Sequence, residues 1–179
     1  MSVNTIMEKV ESYSDLHVVI TGGEPMLPKS IGELTTRIRQ AGKHITIETA
    51  GTISRPVECD LMSISPKLSN SVPSVERAGE WAEKHEQARC RPDILQQLID
   101  QFDYQLKFVV QDRKDIAEIE SLMDKLNGVD SEKVLLMPEG VDQKTLESRT
   151  GWIEEICKEF GFSFCPRMHI QWYGNQRGT

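Results

Sequence analysis

The stretch HVVITGGEPML, residues 17–27, decides how the rest of the chain is read. His17-Val18-Val19-Ile20 has the β-branched, apolar character of a short strand, and it runs straight into Thr21-Gly22-Gly23-Glu24-Pro25. Two successive glycines permit positive φ and let the backbone come close to a ligand. A phosphate cradle needs free N–H donors and a cation, whereas Glu24 adds an acceptor and Pro25 removes a donor. The turn therefore suits an ammonium better than a phosphate. An acid at the start of the next helix also complements the helix dipole with no ligand at all, so the turn alone does not decide the matter.

Working outward, apolar positions Val3, Ile6, Met7 and Val10 recur at helical spacing, which predicts a helix over residues 2–12 ahead of strand 17–20. Pro28 opens a second helix with Ile31, Leu34, Ile38 and Ala41 on one face and Gly42 as its stop. Strands follow at 44–48 and 60–65, the second closed by Pro66. Residues 69–90 are polar and charge-rich and read as a partly helical insertion with a solvated face. Beyond Pro92 the pattern resumes as helix 92–101, strand 104–110, helix 114–126, strand 133–138, helix 142–160 and a strand-like segment over 162–172. Alternating strands and helices joined by right-handed crossovers give a mostly parallel sheet in one α/β domain spanning 1–179.

The bulk composition narrows the function. With 21 Lys plus Arg against 28 Asp plus Glu, the net charge of −7 argues against a broad surface for nucleic acid or anionic membrane and favours a small-molecule substrate. No apolar run reaches the roughly 18 residues of a membrane span, and the opening MSVNTIMEKV lacks a signal-peptide core, so a cytoplasmic location is expected. Cys59, Cys90, Cys157 and Cys165 are too scattered for a dense disulfide framework or a local zinc set. Cys157 shares a helix face with Ile153, Ile156 and Phe160 and reads as core.

In a parallel βα sheet all strands end on one rim, and a site is assembled from the segments that follow them. Here those segments are Thr21-Gly-Gly-Glu-Pro25, Glu48-Thr-Ala-Gly-Thr52, Ser63-Ile-Ser-Pro-Lys67 and Met137-Pro-Glu-Gly140. Each carries hydroxyls, charges or glycine beyond the needs of a plain turn. Taken singly, Ser63 and Ser65 are ordinary solvent-facing strand positions and Lys67 an ordinary surface cation. Taken together, they point to a ligand-binding rim. Lys107, inside the apolar run of strand 104–110, either snorkels or pairs at the site. His169 falls in the last strand-like segment, where a structural role is the simpler reading, and His85 sits among charges.

These motifs, with SPKLSNS at 65–71 and the tail PRMHIQWYGNQRGT, resemble the radical S-adenosylmethionine (SAM) superfamily and, within it, the 7-carboxy-7-deazaguanine synthase family. The resemblance implies a partial (β/α) barrel and a lyase reaction feeding queuosine biosynthesis and tRNA modification. In that reaction 6-carboxy-5,6,7,8-tetrahydropterin contracts to 7-carboxy-7-deazaguanine with loss of ammonia, begun by a 5′-deoxyadenosyl radical and assisted by Mg2+. By position, the resemblance places Gly22, Gly23 and Glu24 on the amine of SAM, Ser65, Pro66 and Lys67 on its methionyl and ribose side, and Met137, Pro138, Glu139 and Gly140 along its adenine. Thr21 and the Thr179 carboxylate would meet the pterin. A homodimer and an electron donor such as flavodoxin are implied as partners.

The superfamily's C-x-x-x-C-x-x-C loop, which holds a 4Fe-4S cluster and leaves one iron open for SAM, is missing from this sequence. No catalytic residue and no metal ligand is assigned, and the first strand of the barrel is expected to be missing with the loop, as in a chain that starts late. Two other readings share part of the pattern. One is a SAM- or pterin-binding module without a cluster. The other is an activating enzyme for a glycyl-radical partner, against which the Ser65-Pro66-Lys67 context and the short tail stand. The 179-residue chain alone is expected to show no reductive cleavage of SAM; 5′-deoxyadenosine formed after anaerobic iron and sulfide reconstitution, at the rate of a cluster-bearing relative, would refute this.

Overall fold

The computed structural model describes residues 1–71 and 89–176, and the chain divides into two compact units. Unit one comprises Met1–Ser65 with Asp93–Gln105, and unit two Pro66–Pro92 with Leu106–Thr179. Most of the expected insertion at 69–90, including His85, lies outside the described residues, as does Thr179.

In unit one, α1 (Val3–Ser12) starts where the Ser2 side chain accepts a hydrogen bond from the Thr5 N–H. β1 (His17–Ile20) pairs in parallel with β2 (His44–Thr49), which pairs in parallel with β3 (Leu61–Ile64). Between β1 and β2 runs α2 (Ile31–Gln40), which buries Ile31, Leu34, Thr35 and Ile38 as the helical spacing predicts. β2 buries Ile45, Ile47 and Thr49 on one face, the two-residue period of a strand covered on that side. α3 (Pro92–Gln101) follows, burying Leu95, Leu98 and Ile99. β1 is a terminal strand whose residues are exposed or half-buried, with Val19 57% exposed.

β4 (Tyr104–Val110) begins in unit one, where the Asp103 carbonyl accepts from the Met62 N–H, and runs on into unit two. There it pairs in parallel with β5 (Val134–Pro138), which pairs with the two-residue β6 (Ser163–Phe164). α4 (Lys114–Met123) and α5 (Gln143–Phe160) connect them. α5 is capped by Asp142, which accepts from the Thr145 N–H, and stops at Gly161 with φ 71°. Its buried stripe of Leu146, Ile153, Ile156 and Cys157 bears out the core reading of Cys157. Every described strand pairing is parallel, as βα crossovers require, so the expected α/β class holds.

One expected element is corrected. Residues 162–172 do not form a strand: β6 covers only Ser163–Phe164, and Met168–Tyr173 form a helix, α6. Pro166 has no N–H to continue a ladder, and the single buried position, Ile170, follows a helical rather than an alternating pattern. His169 therefore lies on this helix and is exposed.

Gly51 ties the end of β2 to the core of unit one. Its φ is 73°, and a Cβ there would lie 2.4 Å from Leu95 Cδ2 and 2.8 Å from Ile64 Cγ2. Gly51→Ala is expected to cost about 2–4 kcal/mol from left-handed backbone and overpacking together, read as a lower midpoint in urea denaturation with unchanged slope. A midpoint within error of the parent would contradict this packing.

Candidate functional site

The carboxyl ends of β1, β2 and β3 carry one connected set of polar contacts. After β1 the backbone takes φ 97° at Gly22 and 56° at Gly23, the left-handed values that made two glycines necessary. A Cβ on either glycine would meet nothing within 4 Å, so the turn faces open space. Among the described residues nothing hydrogen-bonds to the Gly22 or Gly23 carbonyl.

Glu24 has a different job from the one its exposed neighbours suggest. Its Oε1 accepts from the Met26 N–H at 3.1 Å and from the Thr49 hydroxyl at 2.7 Å, and its Oε2 accepts from the Ala50 N–H at 3.0 Å. The carboxylate thus joins the turn after β1 to the end of β2. Of the roughly four acceptor positions a carboxylate offers, three are taken. The buried Thr49 hydroxyl in turn accepts from the Gly51 N–H at 3.0 Å. Thr21, expected to meet the pterin, donates its hydroxyl to Glu48 Oε2 at 3.0 Å. Arg55 closes the far side of the turn by donating to the Met26 and Leu27 carbonyls at 2.6 and 3.1 Å. At the end of β3, Ser63 is buried and accepts from the Gln105 amide at 2.8 Å, while the Ser65 N–H donates to the Thr49 carbonyl at 2.7 Å. In unit one the structure therefore brings Thr21, Gly22, Gly23, Glu24 and Ser65 onto the ends of neighbouring strands.

In unit two, Pro66 is buried and Lys67 half-buried. The Lys67 carbonyl accepts from Arg89 at 2.9 Å, and Lys67 lines a small cleft with Arg89, Glu118 and Lys125. Burial alone would raise the Glu118 pKa, but two donors from Ser69 and the Arg89 ion pair at 2.6 Å outweigh it and hold the carboxyl below its ordinary value. Asn70 fastens the following turn, donating to the Val109 carbonyl and to Asp115. Beyond β5, Glu139 donates its N–H to the Val110 carbonyl at 2.8 Å. Its carboxylate pairs with Arg149 at 2.5 Å, and the same guanidinium nitrogen donates to the Glu139 carbonyl. Arg167 donates to the Gly140 carbonyl at 2.7 Å. Met137, Pro138, Glu139 and Gly140 thus form a segment held from two sides. Thr179 lies outside the described residues.

Strand-end reasoning missed Arg149, Arg167 and Gln105. The first is borne on α5 and the second lies just before α6, so neither follows a strand. Gln105 is a strand residue whose partner Ser63 lies 42 positions earlier, so no local signal marked it.

The described residues do not fit an iron–sulfur cluster or a magnesium site. Among the described residues no group of three or more His, Cys, Asp or Glu could hold a metal ion. Cluster ligands are thiolates, yet burial pushes the Cys59 thiol up to about 11 and raises that of Cys157. The open glycine turn, by contrast, fits the ammonium end of an amino acid such as that of SAM. Among the described residues no helix is long and apolar enough to cross a membrane.

Known proteins can be set beside this geometry. No protein-family model matches the chain. It is 37% identical over 179 residues to the 7-carboxy-7-deazaguanine synthase of Rhodopirellula baltica, covering 99% of this chain and 69% of that protein. To the enzyme of the same name from Halobacterium salinarum it is 41% identical over 180 residues, covering 95% and 70%. The crystal structure of QueE from Escherichia coli superposes with a TM-score of 0.65 at 23% identity, covering 93% of this chain and 64% of that one, which speaks to the fold alone.

Glu24→Gln is expected to cost about 1–3 kcal/mol, because an amide nitrogen at Oε1 would face the Met26 N–H, or at Oε2 the Ala50 N–H. A chemical-denaturation curve superimposing on the parent's would show that the carboxylate does not bridge the two strand ends.

Proposed function

This chain belongs to the 7-carboxy-7-deazaguanine synthase family, and from that premise we propose that it serves the ring contraction of 6-carboxy-5,6,7,8-tetrahydropterin to 7-carboxy-7-deazaguanine, with release of ammonia, on the way to queuosine. The observation that carries the reading is the turn after β1, where among the described residues nothing donates to the carbonyls of two open glycines beside an anchored carboxylate. Carbonyls and a carboxylate are acceptors, and an α-ammonium is a donor of three hydrogen bonds. SAM, when bound, supplies the adenosyl group on which the superfamily's hydrogen abstraction depends.

The chain's own residues bind and orient. Gly22 and Gly23 accept from the ammonium through their carbonyls, while Glu24 keeps the turn in shape and adds negative charge. Ser65, Pro66 and Lys67 serve the methionyl and ribose side, and Met137, Pro138, Glu139 and Gly140 the adenine. Thr21 and the Thr179 carboxylate serve the pterin. The wider reading takes the protein as a cytoplasmic homodimer supplied with electrons by a donor such as flavodoxin.

A second reading, a SAM- or pterin-binding module without a cluster, is favoured by one observation: among the described residues no side-chain group is ready for a metal ion. Both readings require nucleoside binding, and formation of 5′-deoxyadenosine separates them.

Calorimetric titration with S-adenosylhomocysteine tests the shared premise. Asn tolerates left-handed φ, so Gly23→Asn keeps the fold while growing a side chain into the open space. We expect binding by the parent and a loss of at least about tenfold in the variant, with melting temperature little changed. No binding by the parent, or equal binding by both, would overturn the proposal.

A further inference from the structure

In unit two, two arginines from different elements converge on two consecutive carbonyls. The Arg149 guanidinium, on α5, donates to the Glu139 carbonyl and to the Glu139 carboxylate. Arg167, ahead of α6, donates to the Gly140 carbonyl at 2.7 Å. Neither contact is needed to complete the sheet, since the Glu139 N–H already closes the ladder on the Val110 carbonyl. Arg149 has a side chain only 18% exposed, so its ion pair is shielded enough to hold one geometry.

The effect on the segment follows from its polarity. A backbone stretch ordinarily offers both donors and acceptors. Here the acceptors of Glu139 and Gly140 are engaged, while among the described residues nothing accepts from the Gly140 or Val141 N–H. Gly140 has φ 155°, and a Cβ there would lie 2.9 Å from Leu146 Cδ2, so the segment rests directly on the first turn of α5. Arg167 also keeps a buried Nε without a hydrogen-bond partner among the described residues. At Gly140 the group that remains available is the N–H.

We propose that Arg149 and Arg167 are positioning residues that occupy the carbonyls of Glu139 and Gly140, so that the Gly140 and Val141 N–H groups read the acceptor nitrogens of a purine. The inference rests on the reading of residues 137–140 as the nucleoside-binding segment and adds which groups give it that polarity. Neither arginine needs to touch the ligand. A lysine ammonium at position 149 keeps the charge and carries enough donors to serve both Glu139 oxygens.

The test uses S-adenosylhomocysteine on the full chain, read by calorimetry and by backbone amide exchange. The parent is expected to bind and to show slowed exchange at the Gly140 and Val141 amides. Arg149→Gln and Arg167→Gln are expected to weaken binding by about tenfold and to lose that protection, with Arg149→Lys recovering to within about threefold of the parent. Arg113→Gln serves as the control, removing an equal charge from an exposed pair with Glu155, and is expected to bind as the parent does. If Arg149→Gln fails to fold, Arg167→Gln and Arg149→Lys carry the comparison, and a tenfold loss in Arg149→Lys overturns the proposal. Binding by the parent that both Gln variants retain, or binding without protection at Gly140 and Val141, overturns this inference alone. Absence of binding by the parent overturns the nucleoside-site reading as well.

Discussion

The rim of unit one depends on a single carboxylate with three donors. Glu24 is where the turn leaving β1 is fastened to the end of β2, through Thr49, Ala50 and Met26. The connection continues inward, because the Thr49 hydroxyl accepts from the Gly51 N–H and Gly51 sits against Leu95 and Ile64 in the hydrophobic core. A turn with two left-handed glycines has high conformational entropy when unfolded and loses it on folding. Charge-assisted hydrogen bonds immediately after the second glycine offset that cost where it arises. The shape of the turn then does not depend on its own carbonyls, to which nothing donates among the described residues.

This arrangement explains why the fold was readable in the sequence and the site only in part. The strands announced themselves by local signals: alternation in HITIE and YQLKFVV, and glycine or proline at their ends. Helix α2 was visible from Ile31, Leu34 and Ile38. Local signals failed at residues 162–172, where aromatic and apolar residues look much the same in a short strand and a short helix, and only Pro166 marked the break. At the rim, sequence showed which residues arrive but not what they do on arrival. Glu24 looked like a free acceptor because its partners Thr49 and Ala50 lie 25 and 26 positions away. Arg149 and Arg167 were invisible to a search along strand ends, since the topology, not the sequence, carries a helix residue back to the strand it follows.

The cysteines separate two parts of the family's chemistry. Binding a zwitterion needs fixed dipoles and carboxylates, which survive in hydrogen-bonded turns. Holding iron needs thiolates, which require a positive or metal-bound environment to form at neutral pH. Cys59 is half-buried with its thiol pushed up to about 11, and Cys157 is packed among Ile153 and Ile156 on the inner face of α5. Burial of this kind stabilises the protonated, apolar form, so these two thiols contribute to packing.

Both units keep backbone groups open beside a charged side chain. In unit one, Glu24 takes the N–H groups of Met26 and Ala50, while among the described residues the Gly22 and Gly23 carbonyls accept from nothing. In unit two, Arg149 and Arg167 take the carbonyls of Glu139 and Gly140, the Glu139 N–H goes to the Val110 carbonyl, and among the described residues nothing accepts from the Gly140 or Val141 N–H. The Glu24 carboxylate adds negative charge beside open carbonyls, which suits a cation, and the two arginines occupy carbonyls beside open N–H groups, which suits ring nitrogens. Such sites are specified in part by charged side chains that hold the backbone without touching a ligand themselves.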